Sequence, residues 1–322
     1  MPKIYVWGIN LKQDYKTATP PEKLAESRSE RERLLIKWGF EPTQLWLPPK
    51  IHNTTLDAIV EDTLAQGSYE THNYNVRDGA LPQSSPIIAE RIIKFWSEPG
   101  DFIGNPFCER IPHLLIANFL GRHAFGQDLC EAFYKHDVEK VKRRIGQNEF
   151  LDPENNYILE ETPNKFVSKF NGLNFELRLG DSRHIDLPNN IWNLCINSPP
   201  YYSTIHYDEN PKQLGTGTEV GGGNKPTYEE FLKGLQDVYR EVYRILKPGG
   251  FNAVILNDFR LDGIFRPYHA DLLPYMKEIG WTLHDIVIYP LSYHPIQSIF
   301  LSQMDRDKHM AKQVEYILVF KK

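Results

Sequence analysis

From about residue 71 onward the chain alternates short apolar runs with segments of helical periodicity, and this alternation constrains the fold more than any other feature. The runs DFIGNPF (101–107), RHAFGQDL (122–129), NFELRLGD (174–181), WNLCIN (192–197) and FNAVILND (251–258) have strand length. Before, between and after them fall SPIIAERIIKFWSE (85–98), IPHLLIANFLG (111–121), CEAFYKHDVEKVKRRIG (130–146), TYEEFLKGLQDVYREVYRILKPGG (227–250) and HADLLPYMKEIG (269–280). The third strand is preceded by an insertion of polar residues, and Thr227 and Gly249-Gly250 read as start and stop signals of the long helix. Strands separated by whole helices pair in parallel, and the helices then cover both faces of the sheet. The final runs, WTLHDIVIYPL (281–291) and QVEYILVFKK (313–322), have no full helix between them, which predicts an antiparallel edge hairpin.

Residues 1–70 read differently. Pro20-Pro21 precede an alternately charged segment that predicts a helix ending near Gly39, and TTLDAIVEDTLAQG predicts a second, short amphipathic helix. The expected division is an N-terminal appendage (1–70) and one α/β domain (71–322), with halves 71–185 and 186–322. A net charge of −5 (37 basic against 42 acidic residues) excludes a strongly basic nucleic-acid coat protein but not local basic patches. Three cysteines, with no CxxC pair and no histidine at zinc spacing, point away from a disulfide framework or a metal site and towards a reduced, cytoplasmic setting. No apolar run approaches about 18 residues, so no membrane span is expected, and the first residues do not have the pattern of a signal peptide.

The chemistry concentrates where WNLCIN runs into Asn197-Ser198-Pro199-Pro200-Tyr201. Strand ends are where open α/β sheets place ligands. Two consecutive prolines fix φ and remove two backbone donors, leaving rigid carbonyl acceptors. A polar side chain precedes them and an aromatic face follows. That set suits a planar ring bearing an amino group, held by acceptors and stacked on Tyr201; a turn closing a buried strand is the structural alternative.

NSPPY resembles the (Asp/Asn/Ser)-Pro-Pro-(Tyr/Phe) motif of the amino-group DNA methyltransferases, which methylate N6 of adenine or N4 of cytosine. The run 227–250 and the final VEYILVFKK are similar to the same family, and the resemblance covers roughly residues 72–322. It implies a Rossmann-like, seven-stranded, mostly parallel sheet with the last strand antiparallel, S-adenosylmethionine as cofactor, and double-stranded DNA as partner with the target base flipped. It implies Asn197, Ser198, Pro199, Pro200 and Tyr201 as the catalytic set. Serine before Pro-Pro-Tyr leans towards cytosine N4. Adenine N6, an RNA or protein-amide substrate, and a non-catalytic DNA-binding member stay open. The resemblance also places the chain among the enzymes of restriction-modification.

The resemblance implies cofactor contacts from Asn105, Pro106, Phe107 and Cys108, at the place of an Asp-Pro-Phe-x-Gly-Ser-Gly-Thr loop. Both glycines of that loop are replaced, by Glu109 and Ile111, which predicts weak cofactor binding because glycine permits close backbone approach and positive φ. Asp128, with Leu129 beside it, lies 21 residues after Phe107 and fits either a ribose-binding carboxylate or a helix cap. By the same resemblance Asp181 and Ser182 meet the adenine end, or form a turn. Ser84 and Ser85 cap a helix, the cofactor carboxylate, or both. Segments 1–70, 147–172 and 203–226 are candidates for target recognition.

Overall fold

The computed structural model describes residues 86–108, 111–147, 154–202, 226–261, 263–290 and 314–322, together with 5–6, 9–10, 34, 37–39, 43–46, 210, 212–214, 306 and 308. Two compact units are present, Met1–Glu41 and Pro42–Lys322. In the first, β1 (Tyr5–Val6) pairs antiparallel with β2 (Ile9–Asn10). Leu34, Lys37 and Trp38 are helical, and Gly39 follows at φ 76°, the left-handed conformation expected where a helix stops. The second helix expected within 1–70, and the boundary near residue 70, lie outside the described residues.

Among the described residues the larger unit is built on one nine-stranded sheet. Its members in chain order are β3 (Phe102–Asn105), β4 (His123–Asp128), β5 (Tyr157–Thr162), β6 (Lys165–Phe170), β7 (Leu173–Leu179), β8 (Trp192–Asn197), β9 (Leu246–Leu256), β12 (Thr282–Pro290) and β13 (Val314–Lys321). Their order across the sheet is β12-β13-β9-β8-β3-β4-β7-β6-β5. The five strands from β9 to β7 are parallel, and β13 is antiparallel to both of its neighbours. The seven strands β12 to β7 are the expected Rossmann-like sheet. Two more extend it, because residues 157–170 form an antiparallel hairpin beside β7. The sequence reads there as a polar insertion because every residue of β5 is exposed, which removes the alternation that marks a half-buried strand.

The helices are α1 (Pro86–Trp96), α2 (Pro112–Phe119), α3 (Glu131–Gln147), α4 (Tyr228–Ile245), α5 (Tyr268–Asp271) and α6 (Leu273–Ile279). Successive strand residues point to opposite faces. On β4, Ala124 joins a core with Leu114, Leu115, Phe166, Phe175 and Leu177, whereas Phe125 joins one with Trp192, Phe231, Leu235, Tyr239 and Met276. The sheet is therefore covered on both faces, by α2 and α3 on one and by α4 and α6 on the other.

Helix α4 shows how the sequence specifies an element. Thr227 accepts from the Glu230 N–H while the Glu230 carboxylate accepts from the Thr227 N–H, a reciprocal cap, and Phe231, Leu235, Val238, Val242 and Ile245 form its buried stripe. Its end differs from expectation. Leu246 is extended (ψ 140°) and pairs with Trp192, so the helix stops at Ile245 and Gly249-Gly250 lie within β9. A Cβ on Gly250 would stand 2.8 Å from the Asn193 carbonyl, so that glycine serves close strand approach rather than helix termination. The segment 269–280 also divides, into α5 and α6. Pro274 lies in the first turn of α6, where the missing N–H costs nothing. Among the described residues no helix is long and apolar enough to cross a membrane.

Candidate functional site

Strand β3 pairs in parallel with β4 on one side and β8 on the other. The chain runs outward from β3 to β4 and β7, then returns to lay down β8 and β9, so a topological switch point lies between β3 and β8. Crevices open at the carboxyl ends of strands at such points. A cleft of about 580 Å³, counted to its open mouth, occupies this place. Pro106 and Phe107 reach it from β3, Asp128 and Leu129 from β4, Asp181 and Ser182 from β7, and Ser198 and Pro200 from β8. The structure thus brings eight of the expected site residues, from both halves of the domain, to one cavity.

The loop after β3 is held from beneath. Asn105 is fully buried; its Oδ1 accepts from the Phe107 N–H (3.0 Å), which leaves its Nδ2 to donate to His113 Nδ1 (3.2 Å). The His113 proton therefore resides on Nε2, and burial pushes its pKa down to about 4. Cys108 is buried too, with its N–H on the Gln127 carbonyl (3.3 Å). Asn105 and Cys108 thus shape the loop from below rather than line the cleft. A Cβ on Gly126 would come within 2.9 Å of the Cys108 Cβ and 2.5 Å of Leu114, so this glycine is what lets the loop lie against β4. From above, the Ser182 hydroxyl donates to the Pro106 carbonyl (2.6 Å), tying the third strand end to the first.

Ile111 stands at the second glycine position and adopts φ 55°, the left-handed region that glycine is normally used to reach. A β-branched residue is an outlier there, at a cost of roughly 1–2 kcal/mol. Its side chain is fully buried among Cys108, Leu114 and Leu115, and its N–H donates to the Cys108 carbonyl (2.7 Å). The turn is preserved without the glycine, and the bulk points into the core instead of the cleft. Glu109, Ser84 and Ser85 lie outside the described residues.

Asp128 is buried at the rim, and its Oδ1 accepts from the Cys130 N–H (2.8 Å) just ahead of α3. It therefore caps that approach and borders the cleft as well. Asp181 grips Arg183 through both carboxylate oxygens (2.6–3.1 Å). Burial raises the pKa of Asp181, but the hydrogen bonds and charge of Arg183 outweigh it, so the net shift is downward and the carboxylate stays ionised.

At β8 the five motif residues separate into different tasks. Asn197 is fully buried; its Nδ2 donates to Asn252 Oδ1 (3.0 Å), and its Oδ1 accepts from the Tyr239 hydroxyl (2.9 Å). It fastens β8 to β9 and α4 and does not border the cleft. Ser198 and Pro200 line the cleft, and Pro199 is buried. The Tyr268 hydroxyl donates to the Pro200 carbonyl (3.2 Å), bracing the turn from α5. Tyr201 meets Phe259 and Tyr268 edge-on, with centroids 6.3 and 6.1 Å apart. Cys195 is fully buried and its thiol pKa is pushed far up by burial, so it is no nucleophile.

Several neighbours were not singled out from the sequence. Phe133, Val238 and the segment Lys212–Leu214 also line the cleft, the last bringing part of loop 203–226 to its edge. Phe259 and Tyr268 are buried and pack against Tyr201, which itself stands outside the cleft's lining; they lie between recognisable elements, where no periodicity marks them. Among the described residues no three His, Cys, Asp or Glu side chains are grouped to hold a metal.

The residues present fit a nucleoside. A carboxylate at the end of β4 suits a diol, Leu129 and Phe133 offer apolar faces, and ionised Asp181 suits an amino group.

Residues 192–322 match a family model described as DNA methylase. A type II methyltransferase, M.MjaI of Methanocaldococcus jannaschii, is 27% identical over 46% of this chain and 56% of its own length. Another from the same organism, M.MjaVI, is 24% identical over 39% and 57%. The chain thus spans little more than half the length of these curated relatives. A solved structure from Thermus thermophilus, described as a DNA modification methylase in complex with S-adenosyl-L-methionine, is 25% identical over 44% of this chain and 53% of its own, with a TM-score of 0.33.

Proposed function

We propose that this chain, a member of the amino-group DNA methyltransferase family by its residues 192–322, transfers a methyl group from S-adenosylmethionine to the exocyclic amine of a base flipped out of double-stranded DNA. The observation that carries this reading is that Ser198 and Pro200 share one cleft with Asp128 and Asp181. The amine-binding turn and the nucleoside-binding carboxylates therefore serve a single reaction centre.

When bound, the cofactor supplies an electrophilic sulfonium methyl. Asp128 accepts from the ribose hydroxyls, Asp181 from the adenine amino group, and Leu129 and Phe133 pack on the ring. The Ser198 hydroxyl and the Pro199 carbonyl accept from the two hydrogens of the target amine, drawing the nitrogen lone pair out of conjugation and aiming it at the methyl. Tyr201 stacks on the extruded base, offsetting an unstacking cost of a few kcal/mol. Catalysis is then alignment and proximity. The buried, protonated Cys195 agrees with direct transfer and no covalent enzyme intermediate.

Serine directly before Pro-Pro-Tyr leans the reading towards cytosine N4 over adenine N6. The test is to incubate unmethylated DNA, RNA and protein with the enzyme and labelled S-adenosylmethionine, then to analyse nucleosides by mass. N4-methylcytosine in DNA supports the full reading, N6-methyladenine corrects the base, and label confined to RNA or protein, or in no substrate, overturns it.

A further inference from the structure

Just beyond β9 the chain forms a small antiparallel hairpin, β10 (Phe259–Leu261) and β11 (Ile264–Arg266), that belongs to no other sheet. Residues directly opposite in such a pair share a face. Phe259 opposes Arg266 on the inner face. Phe259 is buried, lies edge-on to Tyr201 (6.3 Å) and Tyr228 (6.0 Å), and Arg266 sits over the Tyr228 ring (4.9 Å). The hairpin is thus rooted in the aromatic cluster around Tyr201.

Its outer face is built differently. Arg260 opposes Phe265, with the guanidinium over the ring at 5.3 Å and Phe265 49% exposed; Ile264, 52% exposed, opposes Leu261 at the tip and so lies on the Phe259 face. Gly263 turns the chain at φ 76°. The tip of the hairpin thus exposes one large apolar side chain on each face, with an arginine beside the outer one. A duplex from which a base has been drawn offers an unstacked gap lined by base faces and flanked by phosphates. Apolar wedges enter such gaps in other DNA-bending proteins, and arginine matches the phosphates.

We infer that the β10–β11 hairpin is the element that enters the DNA beside the extruded base, with Phe265 and Ile264 against the orphaned stack and Arg260 on the backbone. This rests on the proposed function and adds to it a named contact surface. The arginine of the outer face, on a chain of net charge −5, and the inner face's continuity with Tyr201 through Phe259 favour nucleic acid over a protein partner.

The experiment measures methyl transfer to unmethylated plasmid DNA by wild type, Ile264→Ala/Phe265→Ala, Phe265→Trp, Arg260→Ala and a control, Phe119→Ala. Phe119 is as exposed (50%) and lies at the opposite end of α2 from the cleft. Cofactor affinity is read by calorimetry and folding by circular dichroism. Base–aromatic contacts imply a fall in kcat/KM of roughly 5- to 150-fold for the double variant, retention by Phe265→Trp, a weaker salt dependence for Arg260→Ala, and no change in the control. A double variant within twofold of wild type overturns the inference, as does a parallel loss of cofactor affinity or helical signal. Absence of transfer by the wild type to any DNA is the separate failure of the functional reading.

Discussion

Ile111 offers a sharp test of the cofactor loop, because it holds a glycine's backbone with an isoleucine's side chain. Replacing it by alanine deletes a fully buried branched chain from a packed core, at a cost of about 2–5 kcal/mol. Replacing it by glycine deletes the same atoms. In a right-handed helical or extended site, glycine would fall a further 0.5–1 kcal/mol or so below alanine, through backbone entropy. At φ 55° alanine retains the left-handed penalty of roughly 1–2 kcal/mol and glycine escapes it. The balance places Ile111→Gly above Ile111→Ala by about 0.5–1 kcal/mol, with both below wild type. Urea denaturation of the three proteins measures this, and a midpoint for alanine above that for glycine refutes the left-handed assignment. Because the side chain points into the core, calorimetric titration of the folded variants should show S-adenosylmethionine affinity changed by less than the stability is. A cofactor dissociation constant at or below a few micromolar for the unaltered protein would show that replacing the glycines of this loop carries no binding penalty.

Tyr201→Ala should lower methyl transfer roughly 5- to 150-fold and leave cofactor affinity nearly unchanged; unaltered turnover with intact circular dichroism removes Tyr201 from the pocket. Asp128→Asn keeps an acceptor for the Cys130 N–H but removes the charge, so cofactor binding should weaken by about 1.5–3 kcal/mol while melting temperature holds, and the reverse pattern leaves Asp128 as a cap alone. Asn197→Leu strands the Tyr239 hydroxyl and the Asn252 carboxamide in the core, at about 1–3 kcal/mol for each unsatisfied group, and chemical denaturation reads the loss. His113 has a folded pKa of about 4 against an unfolded value near 6.5. The unfolded chain therefore binds the extra proton between these values. The stability from keeping it neutral is full above about pH 6.5 and falls by about 3 kcal/mol towards pH 4. His113→Gln should flatten urea midpoints across that window, and a slope equal to wild type would reject the assignment.

What the sequence disclosed follows the physics of each element. Strand β8 lies at 192–197 as read, because a six-residue apolar run bounded by a polar turn and two prolines leaves one solution. Thr227 and Glu230 announce their cap in four letters. The end of the same helix was misread, since Lys-Pro-Gly-Gly is a stop by composition, whereas pairing of Leu246 with Trp192 begins the next strand earlier. The β5–β6 and β10–β11 hairpins carry no usable periodicity, because β5 is wholly exposed, β6 places Ser168 rather than an apolar residue at a buried position, and β10 and β11 have three residues each. At the site, Pro106, Phe107, Asp128, Asp181, Ser198 and Pro200 were visible from strand-end position and resemblance. That Asn105, Cys108 and Asn197 would be buried beneath the cleft was not, because a polar side chain at a strand end gives no sign of whether it faces a ligand or a neighbouring carboxamide. Ile111's backbone was hidden for a different reason, since no isoleucine advertises positive φ.

The position of β13 governs the order in which the later part of the sheet can assemble. It lies between β9 and β12 and pairs antiparallel with both, although β12 precedes it in the chain. Strand β12 therefore has no ladder to join until residues 314–321 arrive. Apart from the short bridge at Leu45, its hydrogen-bonding groups wait for a partner more than 20 residues further on. Until then the edge of β9 is an open template, the kind of surface on which incomplete chains pair with one another. A ribosome stalled before residue 314, or a protease acting on a nascent chain, would release a sticky intermediate rather than a smaller folded unit. A synthetic peptide of residues 314–322 should be captured by such a fragment as the missing strand between β9 and β12.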